Sequence, residues 1–290
     1  MAMKVSFLTC CWRRFDATLH LPVCITLGMI TCVVLEVLFI ILHEQGPAQD
    51  QSKAAHLLLF TFLLLNVLSN AAMFMKTNPS IRGVFLTDNS VGLGWEYCYA
   101  CQTHVPPRSQ HCYNCKVCIL RRDHHCVLLG QCLGHANYRY LIGLLIYGWI
   151  GLLYATVLNA ENFLALLHEG ISAHSLFLLL MPWMMLVTGQ VSTSAFVSAF
   201  VADTCVVGFL FCSGVLALHT ALLYRGATCK EWFAGHRRYD LGWRRNVRES
   251  LGTRWFLIWL SPWISSPLPG DGINFETRSP SIQQPLKTDL

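Results

Sequence analysis

Four long apolar runs set the layout of the chain. Leu21 to Leu42, Ala55 to Met75 and Tyr140 to about Ala160 are each close to the ~20 residues a helix needs to cross hydrocarbon. The fourth run, from Ser175 to Tyr224, is too long for one such helix and carries a single charge, Asp203. It holds either two spans or one span plus a re-entrant or buried piece.

Basic residues decide between these. Of the 21 Lys and Arg residues, three lie in residues 1–20, one in 43–54, seven in 76–139, none in 161–174 and ten in 225–290. With four spans, twenty of the 21 fall on one face of the membrane. Positive charge near span ends marks the cytosolic side, so both termini are expected in the cytosol. The first run follows Lys4, Arg13 and Arg14, with no small-residue cleavage site behind it, and is read as a retained span.

The expected fold is therefore mainly α: a polytopic membrane protein of four transmembrane helices with a cytosolic cysteine-rich module between the second and third. Residues 1–20 form an N-terminal tail, and 21–75 the first two spans with a short luminal loop. Residues 76–139 form the module, and 140–224 the last two spans with an apolar insert at about 175–201. Residues 225–290 form a cytosolic region whose tail, rich in Pro, Gly and Ser, is expected to be flexible from about 267. No internal repeat is evident. Trp232, Trp243, Trp255, Trp259 and Trp263 among arginines suggest rings resting at headgroup level. Asn66 and Asn70 are read as hydrogen-bond partners between helices. Cys10 and Cys11, beside the first span, are possible S-acylation sites.

Composition supports a lipid-facing chain, with 54% hydrophobic and 13% charged residues and a mean hydropathy of +0.45. The basic excess flanks spans and forms no isolated domain, which argues for anionic lipid and against nucleic acid.

Cysteine usage changes the picture most. Seven of the fourteen cysteines fall between Cys98 and Cys132. In a reducing cytosol such clustering reads as metal binding rather than disulfides. Structural zinc takes four ligands, with C-x2-C steps supplying adjacent corners, as at Cys98 and Cys101, Cys112 and Cys115, and Cys115 and Cys118. Two Cys3His sites would leave one cysteine free. Spacing alone does not say which. Chemistry points to Cys126, because Asp123-His124-His125-Cys126 brings a carboxylate and an imidazole to a thiol, the parts of an activated nucleophile. The blander reading is a plain zinc module in which Asp123 and His124 only support the ligands.

The string C-x2-C-x9-H-C-x2-C-x2-C-x4-D-H-H-C-x5-C-x4-N, lying between the second and third of four spans, resembles the DHHC protein S-acyltransferases, or palmitoyltransferases. The resemblance runs from the first span to about Gly252. It implies one zinc on Cys98, Cys101, His111 and Cys118, and a second on Cys112, Cys115, His125 and Cys132. It makes Cys126 the acylated nucleophile, His124 its base and Asp123 the residue that orients His124. It also implies a cavity among the spans for the acyl chain, and supporting roles for Thr228, Glu231 and Asn246. Two departures stand out. Val127 and Leu128 replace the Pro-Trp that usually follows the motif, and Thr228-Cys229-Lys230-Glu231 replaces Thr-Thr-x-Glu.

The expected activity is transfer of a long-chain acyl group from acyl-CoA to cysteines of membrane-associated proteins, with two structural Zn2+ ions. Lys116, Arg121 and Arg122 are candidates for the coenzyme A phosphates. An ER or Golgi membrane is the expected location. The rival is a non-catalytic zinc-binding membrane protein that recruits partners through the module.

Overall fold

The computed structural model describes residues 17–43, 50–83, 94–161, 164 and 173–278. Cys10 and Cys11 lie outside them. In chain order come α1 (Ala17–His43) and α2 (Asp50–Lys76), then six short strands: β1 (Glu96–Cys98), β2 (Thr103–Val105), β3 (Gln110–Cys112), β4 (Val117–Ile119), β5 (His125–Cys126) and β6 (Gln131–Cys132). After them come α3 (Tyr138–Leu158), α4 (Ala173–Leu180), α5 (Pro182–Val187), α6 (Thr193–Arg225), α7 (Cys229–Phe233) and α8 (Trp243–Leu251). Four of these helices, α1, α2, α3 and α6, are long and apolar enough to cross a membrane. They present large apolar side chains outward, as at Leu58 (74% exposed) and Val207 (64%). Outside water this is a surface for lipid.

The long apolar tract resolves into two short helices and one span. Pro182 has no N–H to continue α4, and Gly189 turns the chain at φ +69°. Ser192 then caps the span, its Oγ accepting from the Ala195 N–H at 3.3 Å. The insert expected at 175–201 is thus shorter: residues 193–201 belong to the span itself. Hydropathy is continuous across the break, so only backbone chemistry marks it. At 33 residues, α6 is roughly 50 Å long, well beyond a bilayer's hydrocarbon.

Among the described residues, Asn66 and Asn70 form no hydrogen bond between helices. Their amides donate back to Phe62 O (3.0 Å) and Asn66 O (2.9 Å) in the same helix. Asn70 instead packs against α3 at Gly143, where a Cβ would lie 2.4 Å from its Oδ1. Gly143 thereby sets how closely α2 and α3 approach.

The six strands form three antiparallel hairpins of one design. Adding fourteen to the pair Glu96 and Val105 gives Gln110 and Ile119; adding fourteen to His111 and Cys118 gives His125 and Cys132. Each turn has a left-handed residue at the equivalent place: Gln102 (φ 51°), Lys116 (φ 53°) and Gly130 (φ 64°). A fourteen-residue repeat is therefore present where none was expected. It recurs in backbone register and in a few side chains only.

The hairpins sit on the ends of the helices. Gln131 Nε2 donates to Phe74 O (3.3 Å) and Thr77 O (2.8 Å) at the end of α2. Phe74, Leu133, Tyr138, Tyr140, Leu141, Leu223 and Leu251 form a shared core onto which Cys126, Trp255 and Trp259 pack. Burying a side chain such as Phe74 contributes roughly 1.5–3 kcal/mol, so the module is bonded to the membrane helices by packing as well as by chain connection.

The first part of the tail also differs from expectation, while residues 279–290 lie outside the described residues. Residues 267–278 are folded back on the module: the Thr253 N–H donates to Pro267 O (2.9 Å), His135 Nε2 to Gly270 O (3.1 Å) and the Arg278 N–H to Arg238 O (2.8 Å). Composition suggested a loose tail, but Phe275 and backbone carbonyls give it partners.

Candidate active site

Two clusters bring the expected ligands together. In one, His111 Nδ1 lies 3.7, 3.3 and 3.8 Å from the sulfurs of Cys98, Cys101 and Cys118. In the other, His125 Nδ1 lies 3.7, 3.4 and 3.5 Å from those of Cys112, Cys115 and Cys132. Zn–S bonds of about 2.3 Å and Zn–N bonds of about 2.0–2.1 Å in a tetrahedron put neighbouring ligand atoms roughly 3.5–3.8 Å apart. Both donor sets fit a structural zinc by chemistry and by edge length. Their members differ by fourteen residues throughout: 98 and 112, 101 and 115, 111 and 125, 118 and 132.

Cys126 is in neither set. It stands half-buried on β5, facing the shared core. Beside it His124 donates Nδ1–H to Asp123 Oδ2 at 2.9 Å, and the other oxygen, Oδ1, accepts the Cys229 N–H at 2.7 Å. Asp123 is buried and nevertheless charged. Burial acts most strongly on it and opposes ionisation, but hydrogen bonds from His124 and Cys229 prevail and lower its pKa to about 2. His124 behaves in the mirror sense: burial disfavours its charge, while hydrogen bonds with Asp123, Cys126 and Cys229 raise its pKa to about 11. The arrangement holds a protonated His124 beside the Cys126 sulfur.

The peptide that holds Asp123 is itself fixed. Thr228 caps α7, accepting the Glu231 N–H, while Glu231 Oε2 accepts the Thr228 N–H at 2.8 Å. Glu231 also binds Arg108, with Nε to Oε1 at 2.7 Å and Nη2 to Oε2 at 2.6 Å. Because the contact from Cys229 to Asp123 comes from its backbone, exchanging a hydroxyl for a thiol there leaves it in place. Asn246 secures the same corner, donating to Tyr224 O (2.8 Å) and accepting the Leu241 N–H (3.0 Å).

The basic residues singled out for phosphates are placed differently from one another. Arg121 is buried, donating to Ser250 Oγ at 2.9 Å and lying over the Tyr138 ring at 5.7 Å. Burial, with Arg108 nearby, lowers its pKa to about 10. It is a bracket between the module and α8 rather than a surface cation. Arg122 reaches Gln110 at 3.5 Å, and Lys116 is exposed at the second hairpin turn.

Sequence reasoning missed Arg108 and His219. His219 is buried on α6, 3.1 Å from the Tyr138 hydroxyl, with its ring 5.8 Å from that of His124. An imidazole in an apolar span was itself a signal. Arg108 carried no local signal, because its partner lies 123 residues away.

Comparison with known proteins agrees with this geometry. The sequence profile described as DHHC palmitoyltransferase matches residues 93–236. The chain is 51% identical over 280 residues to "Probable palmitoyltransferase ZDHHC24" of Danio rerio, covering 93% of this chain and 95% of that one. It is 48% identical over 263 residues to the Homo sapiens protein of the same name, covering 90% and 93%. Against "Palmitoyltransferase ZDHHC22" of Mus musculus it is 28% identical over 250 residues, covering 81% and 88%. With four apolar helices, two ligand clusters in one register and a spare cysteine beside an Asp–His pair, this chain belongs to the DHHC palmitoyltransferase family.

Proposed function

We propose that the protein is a membrane-embedded protein S-acyltransferase that passes a long-chain acyl group, such as palmitoyl, from acyl-CoA through Cys126 to cysteines of membrane-associated proteins. The observation that carries this reading is the Asp123–His124 pair at 2.9 Å beside a cysteine that no metal cluster claims. The proton of the Cys126 thiol resides on His124, an imidazolium held against Asp123, so that the Cys126 sulfur stands as a thiolate. The thiolate attacks the thioester carbonyl, the bond to the coenzyme A sulfur breaks, and that sulfur takes the proton from His124. A substrate thiol then repeats the sequence against acyl-Cys126, giving ping-pong behaviour.

Both steps exchange one thioester for another, so the work of the site is positioning and charge. Cys126 lies twelve residues before α3 begins, and Val127 and Leu128 beside it are exposed apolar side chains suited to lipid. The acyl chain needs such a setting, at about 0.8 kcal/mol per buried CH2. Zinc, held by Cys98, Cys101, His111 and Cys118 and by Cys112, Cys115, His125 and Cys132, would fix the hairpins; with four protein ligands each, neither site offers water a position. A cytosolic module with both termini on that side, in an ER or Golgi membrane, completes the reading. Lys116 and Arg122 remain the basic residues with side chains available to coenzyme A phosphates.

The rival, a partner-recruiting zinc protein without activity, rests on Val127, Leu128 and Cys229. Purified protein in detergent, given a clickable long-chain acyl-CoA, separates the two. Hydroxylamine-sensitive label on wild type and none on Cys126→Ser supports the acyl-enzyme. An unlabelled wild type with both zinc ions bound supports the rival.

A further inference from the structure

The catalytic pair is connected to the far end of the chain by contacts that can be followed one at a time. Arg108 holds Glu231 by two hydrogen bonds and Gly226 O by a third, at 2.8 Å. Its guanidinium lies 4.2 Å from the centre of the Tyr239 ring and 4.9 Å from that of Phe275. Phe275 in turn is set by the folded-back tail. The Ser266 hydroxyl donates to Leu251 O and accepts the Arg254 N–H, His135 donates to Gly270 O, Arg245 pairs with Glu276, and the Arg278 N–H closes on Arg238 O. A Cβ on Gly272 would strike the His135 ring at 2.8 Å, and at φ +77° glycine suits the position in any case.

We propose that residues 266–278 form a strap that positions the catalytic pair, with Phe275 as the positioning residue acting through Arg108. The strap fixes the aromatic face under the guanidinium, the guanidinium fixes Glu231, Glu231 fixes the first turn of α7, and the Cys229 N–H there fixes Asp123. An arginine left free on this side would have rotamers that release Glu231. Rings near its plane remove that freedom while leaving its N–H groups for the carboxylate. The inference deepens the acyltransferase reading and rests on it for its kinetic test.

Phe275 borders a cavity of about 200 Å3, so truncating it widens an existing space rather than hollowing a packed core. In the full-length, zinc-loaded protein, Phe275→Ala is expected to slow single-turnover acylation of Cys126 about tenfold at saturating acyl-CoA, with the apparent KM unchanged. Phe275→Tyr, which keeps the ring, should stay within about twofold of wild type. Combining Phe275→Ala with Arg108→Lys should be no slower than Arg108→Lys alone, since both break one connection. Alkylation of Cys126 by iodoacetamide, followed by mass spectrometry, gives a second readout that needs no acyl transfer and should slow in the same variants. An unlabelled wild type would defeat the acyltransferase reading, and the alkylation rates would still judge the strap. Unchanged alkylation in Phe275→Ala, loss of zinc from it, or multiplicative slowing in the double variant would overturn the proposal.

Discussion

Residues 98–132 and residues 173–225 organise the chain in opposite ways. In the first, every few residues a side chain has one partner it must meet: eight Cys and His side chains in two clusters that fit zinc, a carboxylate on an imidazole, a thiol beside it. In the second, the outward side chains could be any apolar residue of similar size, as at Val207 and Leu210, 64% and 63% exposed. One region is specified by identity and the other by average hydropathy. The cost of a substitution should follow that division, and the site lies where the two regions touch.

The steepest test exchanges a ligand. Cys132→Ser or His125→Ala should empty the second cluster and unfold the module, because structural zinc is worth roughly 10–16 kcal/mol in finger-type peptides; zinc counted per chain, alongside tryptophan fluorescence, reads it. Cys126→Ser lies within the same hairpin and should do nothing of the kind, keeping two zinc ions while losing all acyl-enzyme. Equal zinc loss in the two variants would erase the distinction drawn between ligand and nucleophile.

Asp123→Asn should follow, with acylation slower by on the order of 10²–10⁴ and the zinc content unchanged. The same variant sharpens the electrostatics. Asp123 is held down to about 2, so its contribution to stability is full above its ordinary range near 4 and is lost as pH falls toward 2. His124 is raised to about 11, so its contribution is full below about 6.5 and is lost as pH rises toward 11. Thermal melts of wild type and Asp123→Asn should therefore differ most between about pH 4 and 6.5 and converge at higher pH. A gap that widens steadily above pH 7 would count against the pair.

At the other end of the scale, Val207→Ala or Leu210→Val on the lipid face of α6 should leave acylation and melting nearly unchanged, within about 0.5 kcal/mol. A large effect there would mean that the outer face of the span has a partner of its own.

The same division explains what could be read from sequence. Cysteine and histidine spacing announced two metal sites with one cysteine over, since a metal demands particular atoms at particular steps; the Asp and His before Cys126 singled it out, and the family resemblance sorted the eight ligands. The spans were legible from hydropathy, but the break at Met181–Pro182 was not, because the apolar signal passes through it unchanged. Arg121 looked like a surface cation because nothing nearby in sequence foretells Ser250 or Tyr138. The strap read as a flexible tail for a related reason: its Pro, Gly and Ser content says nothing about the ring at Phe275 or about the carbonyl that His135 seeks.

The common register of the three hairpins carries a consequence for the place that Cys126 occupies. Cys126 stands in its hairpin where Cys98 and Cys112 stand in theirs, each opposite the first residue after the turn. Three residues on, where the first two hairpins have Cys101 and Cys115, the third has Leu129. Cys126 thus stands at a ligand position without its companion, on a backbone of the same shape as the two metal-type hairpins, with His124 beside it instead. Leu129→Cys would restore the pair, and the chain would then have to choose between capturing a third ion and passing on an acyl group.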